Sequence, residues 1–268
     1  MGAFLMKSCQ HDHHISRSDY LRFGTLDYFR NCAHYEIGDR SEAELSTRLI
    51  VDTHTKYPAQ ALQRLWKGAI AFGNGNQALG LTRDFGFQIN YIDSGPIRNG
   101  SVTFKKCDAL YQTQGSDAYI FCMTRVEAAN CPPLLGYPDQ WKMPLSKVKK
   151  FAQIAESYFN ESFRLNPTPF IPEGESKALY DGAAFKVAYG DIKYRNRFIE
   201  LRNPSVKAVC DFARDIVNSD LIKPIDYSHQ REFRYCLRLI KNCRILPLNR
   251  NKDYMDLPAD LFRTTALI

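Results

Sequence analysis

Hydrophobic and polar residues alternate most regularly late in this chain, over residues 227–239. The apolar positions are Phe233, Tyr235, Leu237 and Leu239, and the polar positions between them include Gln230, Glu232, Arg234 and Arg238. Because successive side chains of a β-strand point to opposite faces, this pattern predicts a strand with one core-facing side and one polar side.

The rest of the pattern mixes further strands with amphipathic helices. Apolar or alternating runs predict strands at 19–26, 85–92, 101–106, 117–125, 184–189 and 244–248, and helical spacing predicts helices at 59–67, 145–163 and 204–216. A polar tail is expected after 248. The predicted fold class is therefore α+β, as a single domain over residues 1–268 with a helical insertion at about 140–175.

Composition places the chain among ordinary globular proteins. It has 268 residues, of which 44% are hydrophobic and 24% charged. No run approaches the roughly 20 apolar residues that span a bilayer, and the apolar stretch at the start is too short for a signal peptide. We therefore expect no membrane partner and a cytoplasmic location, where the eight unpaired cysteines would stay reduced.

Two stretches carry residues typical of binding motifs but lack the required spacing. Cys9, His11, Asp12, His13 and His14 are potential metal ligands, yet structural zinc sites need a second ligand pair and none follows. We expect a mobile terminal segment without metal. The glycine-rich residues 72–80 lack the Gly-Lys-Ser/Thr end of a phosphate-binding loop and predict a plain loop.

The polar face of the late strand is the best candidate for chemistry. Residues two apart on a strand lie about 6–7 Å from each other on one side, so Gln230 and Glu232 would point into the same space. An amide beside a carboxylate suits a polyhydroxylated ligand. The alternative is an ordinary half-buried strand in which Glu232 pairs with Arg234 or Arg238.

The segment Gln230-Arg231-Glu232 resembles the Gln-x-Glu motif on a late strand of ADP-ribosyltransferases, in which the glutamate is catalytic. The longer run Gln-Arg-Glu-Phe-Arg, residues 230–234, is similar to a broad group of prokaryotic proteins. Some of these are suspected to share that fold and to act as toxins in phage defence. The resemblance implies an ADP-ribosyltransferase-like split antiparallel β-sheet core with flanking helices, and NAD⁺ as substrate.

Two earlier stretches resemble the NAD⁺-binding part of the same family. Arg22-Phe23-Gly24-Thr25 is similar to the early strand whose arginine precedes a Gly or Thr, and a guanidinium there could bind the pyrophosphate. Tyr28 and Arg30 lie one turn further on, where the tyrosine could stack on a nicotinamide or adenine ring. Thr124 falls where a Ser-Thr-Ser-like motif would be, with Cys122 in place of a serine.

The resemblance thus implies NAD⁺ binding by Arg22, Thr25, Tyr28, Arg30 and Thr124, with no metal. Glu232 would stabilise the oxocarbenium character of the ribose as nicotinamide leaves. Gln230 would orient the acceptor. The net charge of +7 favours a nucleic acid acceptor, RNA first, with a protein acceptor next, and toxins of this kind also imply an antitoxin partner. The expected outcome is a block of translation or growth.

Two alternatives from other functional classes remain open. A metal-dependent nuclease would need clustered carboxylates for Mg²⁺, and only Asp226 with Glu232, or Asp39 with Glu42, are candidates. A non-catalytic nucleic-acid-binding or antitoxin-like protein would need its basic residues and not Glu232.

Overall fold

The protein folds into two units that each have their own core. The computed structural model describes residues 3–32, 43–66, 85–113, 115, 117–127, 132–133, 136–216, 218–242 and 244–266. Unit 1 is formed by Met1–Glu42, Ser116–Tyr194 and Ile225–Ile268. Unit 2 is formed by Ala43–Gly115 and Arg195–Pro224. Both units combine helices with mostly antiparallel sheet, so the α+β class is confirmed.

The described elements follow in chain order. The strands are β1 Phe4–Cys9, β2 Tyr20–Thr25, β3 Leu45–Val51, β4 Thr55–Pro58, β5 Phe85–Ser94, β6 Ser101–Thr113, β7 Tyr119–Val126, β8 Asp139–Pro144, β9 Ala184–Asp191, β10 Lys193–Arg195, β11 Phe198–Arg202, β12 Ile222–Pro224, β13 Glu232–Lys241, β14 Arg244–Ile245 and β15 Tyr254–Pro258. The α-helices are α1 Leu26–Asn31, α2 Ala59–Leu65, α3 Val148–Leu165, α4 Lys177–Tyr180, α5 Val206–Ile216 and α6 Asp260–Arg263. Short 3₁₀ helices include His11–His13, Leu145–Lys147 and Ile225–Gln230.

The sheet of unit 1 is centred on β7 and β13, which pair antiparallel. β9 pairs with the other edge of β13. The edge of β7 that faces away from β13 pairs with two different strands. The start of β7 pairs with β2, and its end pairs with β1. β8 then extends the sheet beyond β1, and β15 extends it beyond β2. The sheet therefore parts into two branches beside β7.

One face of this sheet holds an aromatic core under α3. The apolar positions of the alternating pattern, Tyr235, Leu237 and Leu239 among them, are fully buried there. The ring centroids of Phe151 on α3 and Tyr235 lie 4.7 Å apart. The apolar spacing that predicted α3 therefore marks the stripe that covers the sheet.

The described part of unit 2 has a smaller sheet and the α-helices α2 and α5. β3 pairs antiparallel with β6, and β4 and β5 also pair with β6. The parallel neighbour of β3 is β11. Apolar side chains of β6, α2 and α5 form a separate core, including Phe104, Tyr111, Leu62, Trp66, Phe212 and Ile216.

Most predicted elements are present, with shifts at their ends. The helix predicted at 145–163 is α3, with a 3₁₀ turn before it, and the one at 204–216 is α5. The strand predicted at 101–106 runs on to Thr113 as β6. The polar tail after 248 was a wrong prediction, because β15 and α6 lie there. The chain expected as one domain forms two compact units, and the segment at about 140–175 lies within unit 1.

The histidine-rich start of the chain was expected to be a mobile segment, and that prediction was wrong. It follows β1, forms a 3₁₀ turn and packs on β8. His14 is buried with its Nε2 3.1 Å from the carbonyl oxygen of Gln140, and His11 lies 3.1 Å from Asp139. The glycine-rich residues 72–80 lie outside the described residues. None of the described helices has both the length and the apolar content required to cross a membrane.

Candidate functional site

Glu232 is the first residue of β13 and is fixed through its backbone on two sides. Its N–H donates to the hydroxyl of Tyr194 at 2.7 Å, and its carbonyl oxygen accepts from the N–H of Ile192 at 2.9 Å. Across the pair with β7 it lies directly opposite Thr124. Directly opposite residues of an antiparallel pair share a face, so the Glu232 and Thr124 side chains lie on the same side of the sheet.

Gln230 does not lie beside Glu232 on the strand, which corrects the predicted arrangement. It ends the 3₁₀ helix Ile225–Gln230, and β13 begins two residues later. Arg231 between them has a φ of +44°, a left-handed conformation uncommon for a long side chain. The alternation therefore breaks at Arg231, although Gln230 is itself buried.

The carboxylate of Glu232 is bound by Arg234, two residues along the same strand face. Arg234 Nε donates to Glu232 Oε1, and both side chains are almost fully buried. The predicted alternative, pairing of Glu232 with Arg234, is therefore confirmed. A buried carboxylate is tolerated when it is paired in this way, so the ion pair also accounts for how Glu232 can lie at a nearly inaccessible position.

Glu232 borders a pocket of about 210 Å³ on unit 1. The other lining residues are Arg125, Glu127, Asp191, Ile192, Tyr194 and Arg231. Two ion pairs lie in its wall, Arg125 with Asp191 at 2.5 Å and Arg231 with Glu127 at 3.8 Å. A pocket walled by carboxylates, guanidinium groups and a tyrosine offers many donors and acceptors to a polyhydroxylated ligand.

Arg22 lies on the same face of the sheet as Glu232. Gly24 is opposite Ile120 of β7, and alternation along the two strands places Arg22 with Gly24 and Thr124 with Ile120. The Arg22 guanidinium binds both oxygens of Asp256, at 2.9 and 3.0 Å, and stacks on the ring of Tyr254 at 3.7 Å. The hydrogen bonds that Arg22 donates to Asp256 raise the pKa of Arg22 above its usual value.

The other predicted NAD⁺-binding residues of this segment have local partners. Thr25 lies opposite Tyr119, on the core face, and its Oγ1 accepts from the N–H of Tyr28 to cap α1. The Tyr28 ring packs edge-on against Phe29. Arg30 is buried and donates to Asp27 at 2.7 Å. These contacts are local to the segment from β2 to α1, and Thr25 lies on the opposite face of the sheet from Glu232.

Lys7 of β1 bonds to the backbone of β7 at the branch point, and its Nζ lies 4.9 Å from the ring centroid of the buried Phe121. Between the stretches paired with β2 and β1, the carbonyl oxygen of Cys122 accepts from Lys7 Nζ at 3.0 Å. Cys122 lies directly opposite Arg234, so the expected serine position is occupied by a partly buried thiol beside the buried ion pair. Lys7 was not predicted, since no local pattern links β1 to this point.

Tyr194, Arg125 and Asp191 are among the pocket residues that the sequence did not assign. Tyr194 was considered only as part of a basic, aromatic surface patch at 194–197. Its bond to Glu232 depends on β9 pairing with β13, which is a contact between distant parts of the chain. Arg125 follows Thr124 on β7, so the pairing of β7 with β13 was the signal that could have found it.

No group of three or more His, Cys, Asp or Glu residues placed to hold a metal ion occurs among the described residues. Asp226 lies in the 3₁₀ helix before Glu232, whereas Asp39 and Glu42 lie outside the described part of the chain. No protein-family model, no curated protein and no solved structure matches this chain.

Proposed function

We propose that this protein is an NAD⁺-dependent ADP-ribosyltransferase in which Glu232 is the catalytic residue. The observation that carries the proposal is the position of Glu232, at the edge of a pocket and opposite Thr124 on the neighbouring strand. The shared face with Arg22 supports it. The parting of the sheet into two branches beside β7 is compatible with the split sheet of that family.

The proposed step uses Glu232 electrostatically. The bond between nicotinamide N1 and ribose C1′ breaks, and nicotinamide leaves with the bonding electron pair. The acceptor's oxygen or nitrogen then bonds to C1′ and loses its proton to solvent. The Glu232 carboxylate would accept from the ribose 2′-hydroxyl and face the developing positive charge.

Arg22 would have to exchange Asp256 for the pyrophosphate of NAD⁺. Both partners offer paired oxygens to the guanidinium, so the exchange costs little in geometry. We expect Arg22→Gln to raise the KM for NAD⁺ roughly tenfold, since a charge-assisted bond contributes about 1.5–3 kcal/mol. Asp256→Asn should lower it, because Asp256 competes for the same donors. A KM unchanged in both variants would remove Arg22 from the site.

We propose RNA as the first acceptor and protein as the second, with an antitoxin as a regulatory partner and a cytoplasmic site of action. The formal net charge of +7 supports a polyanionic acceptor. Modified RNA would block translation, which fits a toxin that acts in phage defence.

The test is incubation of the purified protein with labelled NAD⁺, total cellular RNA and cell lysate. Wild type should transfer label, and Glu232→Gln should reduce transfer by about 100-fold or more, as for the loss of a preorganised transition-state contact. Glu161→Gln, a carboxylate change on the exposed side of α3, is the matched control and should keep full transfer. Nuclease or protease treatment of the product then separates RNA from protein acceptors.

Two outcomes would contradict the transferase proposal and favour another function. RNA cleavage that needs Mg²⁺ and no NAD⁺ would favour the nuclease alternative. Intact NAD⁺ and intact RNA with every fraction would favour a binding protein. Fluorescence of Trp141, which is buried in unit 1, reports whether Glu232→Gln is folded, so a loss of activity through unfolding can be recognised.

A further inference from the structure

The positive charge of the chain is concentrated in unit 2. This unit has 14 lysines and arginines against 9 aspartates and glutamates, a net charge of +5 out of the total of +7. Unit 2 is also the smaller unit. A basic unit in a chain whose other unit is nearly neutral suggests a separate role in attracting a polyanion.

A β-bulge places two neighbouring lysines on the outer face of the sheet of unit 2. β5 pairs Ser94 with Phe104 and Asp93 with Lys106, which leaves Lys105 as the extra residue in β6. Phe104 and Cys107 on either side are fully buried, whereas Lys105 and Lys106 are both exposed. Without the extra residue, alternation would have turned one of the two lysines towards the core.

Two more side chains complete this surface, which we call the lysine face and define as Lys56, Tyr91, Lys105 and Lys106. Lys56 on β4 is opposite Thr103, the residue of β6 between two buried neighbours, and is exposed. Tyr91 on β5 is partly exposed, and Lys106 Nζ lies 4.9 Å from its ring centroid. An exposed aromatic ring on a face that also carries lysines is a combination that proteins use to bind single-stranded nucleic acids.

The cations of the lysine face are poorly neutralised compared with those elsewhere on the same sheet. Arg48 binds both oxygens of Asp108 at 2.8 and 2.7 Å, and Arg202 lies near Glu200 and Asp52. By contrast, no carboxylate of the described residues lies within ion-pair distance of Lys56 or Lys106. Lys105 has only Asp93, at 3.9 Å and with both side chains more than half exposed.

We infer that the lysine face binds single-stranded nucleic acid, with the three lysines on phosphates and a base stacked on Tyr91. The partner follows from charge complementarity and from the partly exposed ring of Tyr91. The bulge gives the two central lysines a common direction, which a backbone of successive phosphates requires. Binding needs neither NAD⁺ nor Glu232, so this inference can fail or hold independently of the proposed transferase activity.

The test measures binding of a fluorescent 20-nucleotide single-stranded RNA by anisotropy, with the full chain and no NAD⁺. Three phosphate contacts predict that affinity falls roughly 20-fold between 50 and 200 mM salt, from a slope of about −0.7 per contact. The triple variant Lys56→Gln/Lys105→Gln/Lys106→Gln should lose most of that salt dependence. Its affinity at 50 mM salt should be at least tenfold lower than that of wild type. The control Lys149→Gln/Lys150→Gln/Lys207→Gln removes the same charge from exposed lysines on α3 and α5 and should bind like wild type.

Tyr91 separates stacking from charge. Tyr91→Ala should weaken binding roughly fivefold or more at every salt concentration, and Tyr91→Phe should keep wild-type affinity, because the ring alone provides the stack. If both triple lysine variants lose the same affinity, binding follows net charge, and the lysine face is not the binding site. Binding of acidic peptides or double-stranded DNA in place of single strands would overturn the assigned partner, and a single-stranded DNA arm tells whether the 2′-hydroxyl matters.

Discussion

Each unit has a sheet with one apolar face and one charged face, but the two charged faces are organised differently. In unit 1, Glu232 and Arg234 are buried, as is Arg238 on the same strand face. In unit 2, a row of partly exposed ion pairs joins β11, β3 and β6 through Arg202, Glu200, Arg48 and Asp108. In both units a glutamate and an arginine lie two residues apart on a strand. The desolvation cost is high for the buried pair Glu232–Arg234 and low for the exposed pair Glu200–Arg202.

The difference separates charged pairs that cost little free energy from a pair that is costly to bury. Exposed pairs contribute about 0–1 kcal/mol and can accumulate on a sheet without functional reason. A buried pair carries a large desolvation cost, and replacing it with apolar residues is often neutral or stabilising. The Glu232–Arg234 pair is the costly one, which agrees with the proposal that a carboxylate is required at this position.

The two units can be compared in one molecule because each holds one of the two tryptophans. Trp141 is buried in unit 1 and Trp66 in unit 2. A Trp66→Phe background therefore reports unfolding of unit 1, and a Trp141→Phe background reports unfolding of unit 2. Separate signals are needed because two units need not unfold in one step.

The largest effect is expected for Arg234→Gln, which removes the guanidinium that binds the buried Glu232 carboxylate. The free energy of unfolding of unit 1 should fall by about 3–5 kcal/mol, the usual cost of breaking a buried pair from one side. The measurement is urea unfolding followed by Trp141 fluorescence in the Trp66→Phe background.

The double variant Glu232→Gln/Arg234→Met is the matching control. It removes both charges, so most of the lost stability should return even though the proposed activity is abolished. A fall below 1 kcal/mol for Arg234→Gln would mean that water reaches the pair, and the contrast between the two faces would then disappear.

An intermediate effect is expected for Asp108→Asn in unit 2. Bonds from Arg48, then Asn90, hold the pKa of Asp108 at about 2, below its usual value near 3.9. A depressed pKa stabilises the fold above the unfolded value, so this contribution is complete above about pH 5 and is lost as the pH falls from about 4 towards 2.

Asp108→Asn should cost about 1–2 kcal/mol at pH 7, as for bonds to a charged group on a partly exposed pair, and should flatten the acid dependence of unit 2. Trp66 fluorescence in the Trp141→Phe background measures both quantities. An unchanged slope between pH 4 and 2 would show that Asp108 is not the group that titrates there.

Local patterns predicted the longer helices and central strands, missed strands such as β1, β8 and β15, and predicted few of the contacts between elements. Alternation and helical spacing are local, and they located β13 from Glu232 onwards, β7, α3 and α5. The two branches beside β7, the Tyr194 bond to Glu232 and the Asp256 partner of Arg22 depend on strand pairing over many residues. No periodicity in one segment carries that information.

The Gln-x-Glu motif was also predicted from local spacing alone. Gln230 and Glu232 were predicted on one strand face because their spacing of two fits a strand. The left-handed backbone at Arg231 ends that regularity. Of the other four non-glycine residues with positive φ in the described part of the chain, three are asparagines, which adopt this conformation more easily. An arginine gives no local signal for such a turn, so the break could not be anticipated.

The smallest effect is expected for Arg202→Gln, at the exposed end of the ion-pair row. Arg202 lies 3.3 Å from Glu200 and 3.4 Å from Asp52, with more than half of its side chain exposed. Its removal should lower the stability of unit 2 by less than about 0.5 kcal/mol in dilute buffer and by nothing measurable in 1 M NaCl, where charges are screened within about 3 Å. The cost of Arg234→Gln should persist at the same salt, because ions do not reach a buried pair. If both costs disappear in 1 M NaCl, Glu232 is as accessible as the exposed row, and burial cannot be the reason that the Glu232–Arg234 pair differs from its counterpart in unit 2.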